Sequence, residues 1–285
     1  MGYLHLAWKN LWRNRRRTII TLIAISFSIM LVQAQQNLSS GVYAGMVDSG
    51  VRAGSGHLAI YHQGYLDSRD ETLTFQDHAL VTQITAIDGV EQALTRLYIP
   101  SLAQSSRESR GVVLLGVDPQ RERSINPFLK SLPKGDMIRA ADSRDAIVGY
   151  RLLNELKIQP GQKFVVTAQH RDGTLHSELL RVRGVVDSGI KDVDSSLVMV
   201  GRERAALLSG DTGSIHELAI ILADREAEAR IQMQIATLVD HFQDIEVVSW
   251  EQSMPNLANA IKLDYASGNF IFLIILLIVT IGVIN

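Results

Sequence analysis

The chain has 285 residues, a formal net charge of −2 at pH 7 and no cysteine. That length supports one large domain or two small ones, and the missing thiols exclude disulfide staples, thiolate catalysis and cysteine metal sites. The charge is unevenly placed: Lys9, Arg13, Arg15, Arg16 and Arg17 all precede the first carboxylate, Asp48, and leave an acidic remainder. An apolar run follows the basic end at once, so these cations read as positive-inside membrane topology rather than as a nucleic-acid site.

Residues 1–17 form a predicted cytoplasmic, basic interfacial helix. Leu4, Trp8, Leu11 and Trp12 share one helical face, and Trp8, Trp12, Arg13, Arg15, Arg16 and Arg17 are the expected membrane-interface anchor. Thr18–Val32 then offers 15 residues with no charge, proline or glycine. At 1.5 Å per residue it reaches roughly 22 Å, and the uncharged Gln33–Gln36 extends it toward the ~30 Å of a bilayer core. Residues 18–36 are therefore a predicted transmembrane helix. The small-residue spacing Val32-Gln33-Ala34 also fits a cleaved leader. Two features favour an anchor: the interfacial helix before the run, and a second uncharged run, Phe270–Ile284, at the far end. Residues 269–285 are read as a second transmembrane helix, truncated at Asn285, in a polypeptide expected to continue.

Residues 37–268 are then the expected extracytoplasmic domain. Leu38, Val42 and Met46 keep helical spacing, which predicts a stalk continuing the first span until Gly50, Gly54 and Gly56 break it; Leu257, Ile261 and Tyr265 predict a second stalk. Inside the stalks, His57–His62, Ala79–Ile87 and Gly89–Tyr98 read strand, helix, strand. Glu217–Leu222, Asp224–Phe242 and Asp244–Trp250 repeat that order, with Asp224 as an N-cap. Two such halves make a split βαβ lobe of ferredoxin-like shape, about 55–104 and 214–250. The stretch between, about 105–213, reads as an inserted β-rich lobe with a turn at Asp118-Pro119 and a hairpin about Asp172-Gly173. The fold class is thus an α+β membrane protein.

No motif carries catalysis. His57 and His62 differ by an odd number and face opposite sides of a strand, while His170 and His176 share a face only if the hairpin loop is odd. With no third ligand in view, solvated histidines are expected and no metal site. Asp187, Asp192 and Asp194 read as an acidic solvated loop. Leu208–Ser214 lacks the ending of a phosphate loop, and no nucleophile elbow occurs.

Leu6–Ile29, "LAWKNLWRNRRRTIITLIAISFSI", resembles the opening of the FtsX/MacB-type ABC transporter permeases. Gly56–Asp67, Leu114–Pro119, Gly149–Val166 and Arg181–Gly189 resemble, in the same order, that family's external core domain, and the last apolar run resembles its second span. The resemblance implies a four-span permease working by mechanotransmission. Its external domain would be a porter-like βαβ lobe with an inserted sabre-like lobe. The implied partners are a cytoplasmic ATPase dimer, which would bind ATP and Mg, a second permease subunit, and membrane lipids; no cofactor, catalytic group or nucleic acid falls to this chain. Lipoprotein-releasing (Lol-type) permeases look most similar, which implies a lipoprotein substrate and a periplasmic carrier. In that reading Met30, Gln33, Gln36, Asn37, Phe270 and Leu273 lie on a substrate path at the outer interface, and His170, Arg171, Asp172 and Gly173 form a carrier-contact hairpin. The hairpin Thr167–Glu178 is shorter than a carrier hook and lacks a proline-rich tip. MacB-like export of peptides or drugs, and a two-span sensor with an external ligand-binding domain, remain alternatives.

Overall fold

The computed structural model describes residues 13, 15–76, 78–242 and 244–284. Contacts divide the chain into two compact units, Met1–Asp48 with Asn256–Asn285, and Ser49–Pro255. The predicted interfacial face with Trp8 and Trp12 lies outside the described residues.

Helix α1 (Arg15–Ala53) carries the first apolar run onward without a break. Gly50, expected to end it, lies inside it; the break comes at Gly54, whose N–H still closes on the Gly50 carbonyl at 2.7 Å. There follow β1 (Leu58–His62), β2 (Phe75–Gln76), α2 (His78–Thr85), β3 (Val90–Gln104), β4 (Ser109–Val117) and α3 (Pro119–Ile125). Next come β5 (Asp145–Gly149), α4 (Tyr150–Glu155), β6 (Lys163–Gln169), β7 (Leu175–Val186), β8 (Leu197–Gly201) and α5 (Arg202–Ser209). The chain closes with β9 (Ser214–Ile215), β10 (Glu217–Leu222), α6 (Glu228–Val239), β11 (Ile245–Ser249) and α7 (Pro255–Ile284).

Among the described residues, nine strands form one sheet in the order β11-β1-β10-β3-β4-β8-β5-β7-β6, and β6 returns to pair with β3. The six strands from β3 to β6 therefore close as a barrel. Its interior is filled by Leu114, Val148, Phe164, Val166, Leu180 and Val198, together with Leu152 of α4 and Leu208 of α5. Strands β11, β1, β10 and β3 form an open antiparallel sheet. Leu58, Ile60, Leu218 and Ile220 cover one of its faces with Leu80 and Ile84 of α2 and Ile231 and Ile235 of α6.

Strand β3 belongs to both lobes. Its first half pairs with β10 as far as Arg96↔Glu217, and its end pairs with β6 from Ser101↔Ala168. Residues 97–100 have no strand on that side. The Tyr98 N–H turns into this gap and meets His216 Nδ1 at 3.1 Å. Alternation sends the nitrogen of Pro100 the same way, so a residue with no N–H costs no ladder bond there.

Two local expectations need correcting. Asp118-Pro119 opens a helix rather than a simple turn: the Asp118 carboxylate accepts from the N–H of Gln120 (3.0 Å) and Arg121 (3.1 Å), and Pro119 takes the first helical position. The Asp187–Asp194 loop is not merely solvated. Asp194 is buried, because its carboxylate accepts from the Ser188 N–H at 2.9 Å and hydroxyl at 2.7 Å.

In the helical unit, α1 and α7 are long and apolar enough to cross a membrane. Their apolar side chains are exposed, Ile23 at 63% and Phe270 at 64%. A core helix of a soluble domain would bury them, whereas lipid is an adequate solvent for them. The rings of Tyr43 and Tyr265 meet across the two helices at 4.9 Å, tilted by 51°.

Candidate functional site

Three places in the molecule bring unusual chemistry together. The first is a buried ion cluster on the face of the open sheet away from its helices. Strand register sets Tyr61, Glu217 and Arg96 in one row across β1, β10 and β3. The Arg96 guanidinium reaches Glu217 Oε1 at 2.9 Å and Glu122 Oε1, from α3, at 2.7 Å, and all three side chains are at most 2% exposed. The Tyr61 hydroxyl donates to Glu217 Oε2 at 2.5 Å and the Tyr98 hydroxyl to Oε1 at 3.2 Å. Burial, then the Glu217 carboxylate, push the Tyr61 phenol well above its ordinary range, and the same causes put Tyr65 at about 12. These phenols stay neutral and therefore stay donors. Arg96 also donates to the carbonyl of Gly54, the residue after α1. A cation at a helix C-terminus meets the negative end of the macrodipole. Arg96 thus joins the end of α1 to both lobes.

The chain enters and leaves this domain at one spot. The Trp250 N–H donates to the His57 carbonyl at 2.9 Å, and Met254 sits where a β-carbon on Gly54 would come within 2.6 Å of its sulfur. Gly56, at φ +80°, presses its backbone against Ile220, where a β-carbon would lie 2.6 Å from the Ile220 nitrogen. Only glycine fits there.

The second place is the gap beside β3. A cavity of about 180 Å³ opens there, lined in part by Glu71, Tyr98, His170, Asp211 and His216. His216 is buried, accepts the Tyr98 N–H at Nδ1, and lies 3.0 Å from the Glu71 carbonyl at Nε2. That pairing fixes a neutral ring with the proton on Nε2. Burial lowers its pKa below 6.5 although the Glu71 carbonyl and nearby carboxylates oppose the shift.

The third is a groove of about 700 Å³ between α1 and α7, wholly within the helical unit. Gln33, Gln36 and Asn37 line it, and Gln33 donates to Asn37 at 3.3 Å. Met30, Phe270 and Leu273 are exposed on the same helices but outside its lining; Leu31, Ile271, Phe272 and Ile275 supply its apolar wall. Tyr43, Asp264 and Tyr265 also line it and were not singled out from sequence as site residues. For Tyr43 the available signal was its helical spacing with Gln36 and Ser40 on α1; Asp264 and Tyr265 sit on α7, and only the pairing of the two helices brings them to the groove. Arg13, Arg15, Arg16 and Arg17 are exposed at the other end of α1. His170, Arg171, Asp172 and Gly173 form the β6–β7 turn, where Thr174 bonds hold the Asp172 carboxyl down at about 2 and Arg171 pairs with Asp211 at 3.1 Å.

Two helices long and apolar enough to cross a membrane flank a mixed α/β domain, the arrangement of a membrane-anchored protein with a folded domain beside the bilayer. Residues 18–238 match the family described as MacB-like periplasmic core domain. The chain belongs to that family, the ABC transporter permeases of FtsX/MacB type. Among solved structures it is similar in fold to the periplasmic region of MacB from Actinobacillus actinomycetemcomitans, at 12% identity and TM-score 0.51. That match covers 73% of this chain and 96% of that one. The extracellular domain of the noncanonic ABC-type transporter YknZ from Gram-positive bacteria also matches, at 13% identity and TM-score 0.46, over 67% of this chain and 99% of that one. No curated protein sequence matches the chain.

Proposed function

We propose that this chain is the non-catalytic permease subunit of a transporter that releases lipoproteins from the inner membrane, driven by a separate cytoplasmic ATPase dimer. ATP and Mg belong to that ATPase, a second permease subunit completes the machine, and a periplasmic carrier receives the product. The N-terminus is cytoplasmic, held by Arg13, Arg15, Arg16 and Arg17, and residues 37–268 lie outside. The four-strand order β11-β1-β10-β3 supports reading the first lobe as a porter-like, ferredoxin-like unit split by a sabre-like barrel.

The observation that carries the lipoprotein reading is the groove between α1 and α7. It joins an apolar wall, Leu31, Ile271, Phe272 and Ile275, to a polar collar, Gln33, Gln36 and Asn37. A substrate with acyl chains on a polar peptide needs both surfaces in that order. Arg96 then supplies the transmission, since it holds the residue after α1 and both lobes at once.

A photo-reactive side chain at Gln36, in membranes containing the whole transporter, is expected to capture acylated lipoproteins, and those lipoproteins are expected to stimulate ATP hydrolysis. Capture and stimulation by soluble peptides or drugs alone would replace this reading with a MacB-like export role. That second reading draws support from the fold match to the MacB periplasmic region.

A further inference from the structure

The β6–β7 hairpin turns through three residues. The His170 N–H donates to the Thr174 carbonyl at 2.7 Å, the Gly173 N–H to the His170 carbonyl at 2.8 Å, and Gly173 sits at φ +86°. An odd loop keeps the two strand faces in step. His176 lies opposite Ala168, so His170 is its diagonal neighbour on one face, and their rings stack at 4.3 Å. The turn also brings a third group, for Asp172 Oδ1 is 3.0 Å from His170 Nδ1. Ligand atoms of His170, Asp172 and His176 all lie within 4.8 Å of one another.

We propose that this hairpin tip binds one divalent transition-metal ion of the zinc class, through His170, Asp172 and His176, with water at the fourth position. Bonds of about 2.1 Å in a tetrahedron place ligand atoms roughly 3.4 Å apart, so the widest gap here has to close by no more than about 1.4 Å. Two of the three ligands are already held. The imidazole of His170 fills the space a β-carbon on Gly210 would need, which fixes its ring. The Asp172 carboxylate is aimed by the Thr174 N–H at 2.8 Å and hydroxyl at 2.6 Å. His176 is exposed and can turn to complete the set. Two imidazoles with one carboxylate favour zinc, nickel or copper over calcium or magnesium, which prefer all-oxygen shells.

The site is independent of what the transporter carries. The test uses the whole chain, stripped with chelator, titrated with zinc by calorimetry and with cobalt by visible absorption. One ion is expected per chain, with a dissociation constant on the order of micromolar and tetrahedral cobalt bands. His176→Asn, an exposed change that leaves the fold intact by circular dichroism, and Asp172→Asn are each expected to weaken binding about tenfold or more. His62→Asn is expected to change nothing. No saturable binding below about 100 μM, or binding undiminished in His176→Asn, overturns the proposal.

Discussion

At the scale of single residues, Arg96 is the most consequential side chain. Its cluster holds two carboxylates against one guanidinium, and Tyr61, Tyr98, Asn126 and the Gly54 carbonyl add further hydrogen bonds. Arg96→Met strands two buried charges, and breaking such a set costs about 3–5 kcal/mol. Urea unfolding should register that loss, and adding Glu122→Gln and Glu217→Gln should restore part of it, since neutral side chains no longer need the cation. His216 gives a pH signature. Its folded pKa lies below the unfolded 6.5, so the unfolded chain takes up a proton first as pH falls. Its contribution is whole above about 6.5, and declines as pH falls from there to the folded value. His216→Gln should flatten that part of the stability–pH curve, read by thermal unfolding in steps between about pH 7 and 5.

At the scale of elements, the joint between α1 and β1 is held by close backbone packing. Gly56→Ala forces a β-carbon into the Ile220 backbone at a left-handed position, and is expected to cost at least about 2 kcal/mol. Gly64→Ala, also left-handed but with open space around it, is expected to cost less. Such joints explain what the chain's pattern could and could not reveal. Apolar runs and period-2 alternation placed α1, α7 and most strands, because burial and lipid contact act on every turn and every second residue. Glu217 and Arg96 escaped notice because each is one polar residue in a strand, and only strand register sets them side by side. The sequence pattern ends this strand at Tyr98, whereas β3 runs on to Gln104; Pro100 fits inside it because residues 97–100 have no strand on the edge its nitrogen faces. The groove was legible in its collar, Gln33, Gln36 and Asn37. Its apolar wall depends on helix rotation, which places Ile271 and Phe272 inward rather than Phe270 and Leu273.

At the scale of the whole molecule, the absence of cysteine makes topology directly measurable. A single cysteine at Leu175, 73% exposed on the hairpin, is expected to react with a membrane-impermeant maleimide in intact spheroplasts. One at Arg16 is expected to react only after the membrane is opened; the reverse pattern would invert the orientation. The long-range pairing also governs how the protein is made. Strand β1 has no partner until β10 and β11 emerge from the ribosome, well over a hundred residues later. β3 pairs at once with β4 on one edge, but its other edge waits for β6 along its end and for β10 along its first half. Pro255 then opens α7 within a few residues of β11. The open sheet is therefore completed at about the moment the second helix enters the membrane. Until then its unpaired edges are exposed to the compartment outside, so a nascent chain stalled before β10 is a natural client for periplasmic chaperones and proteases.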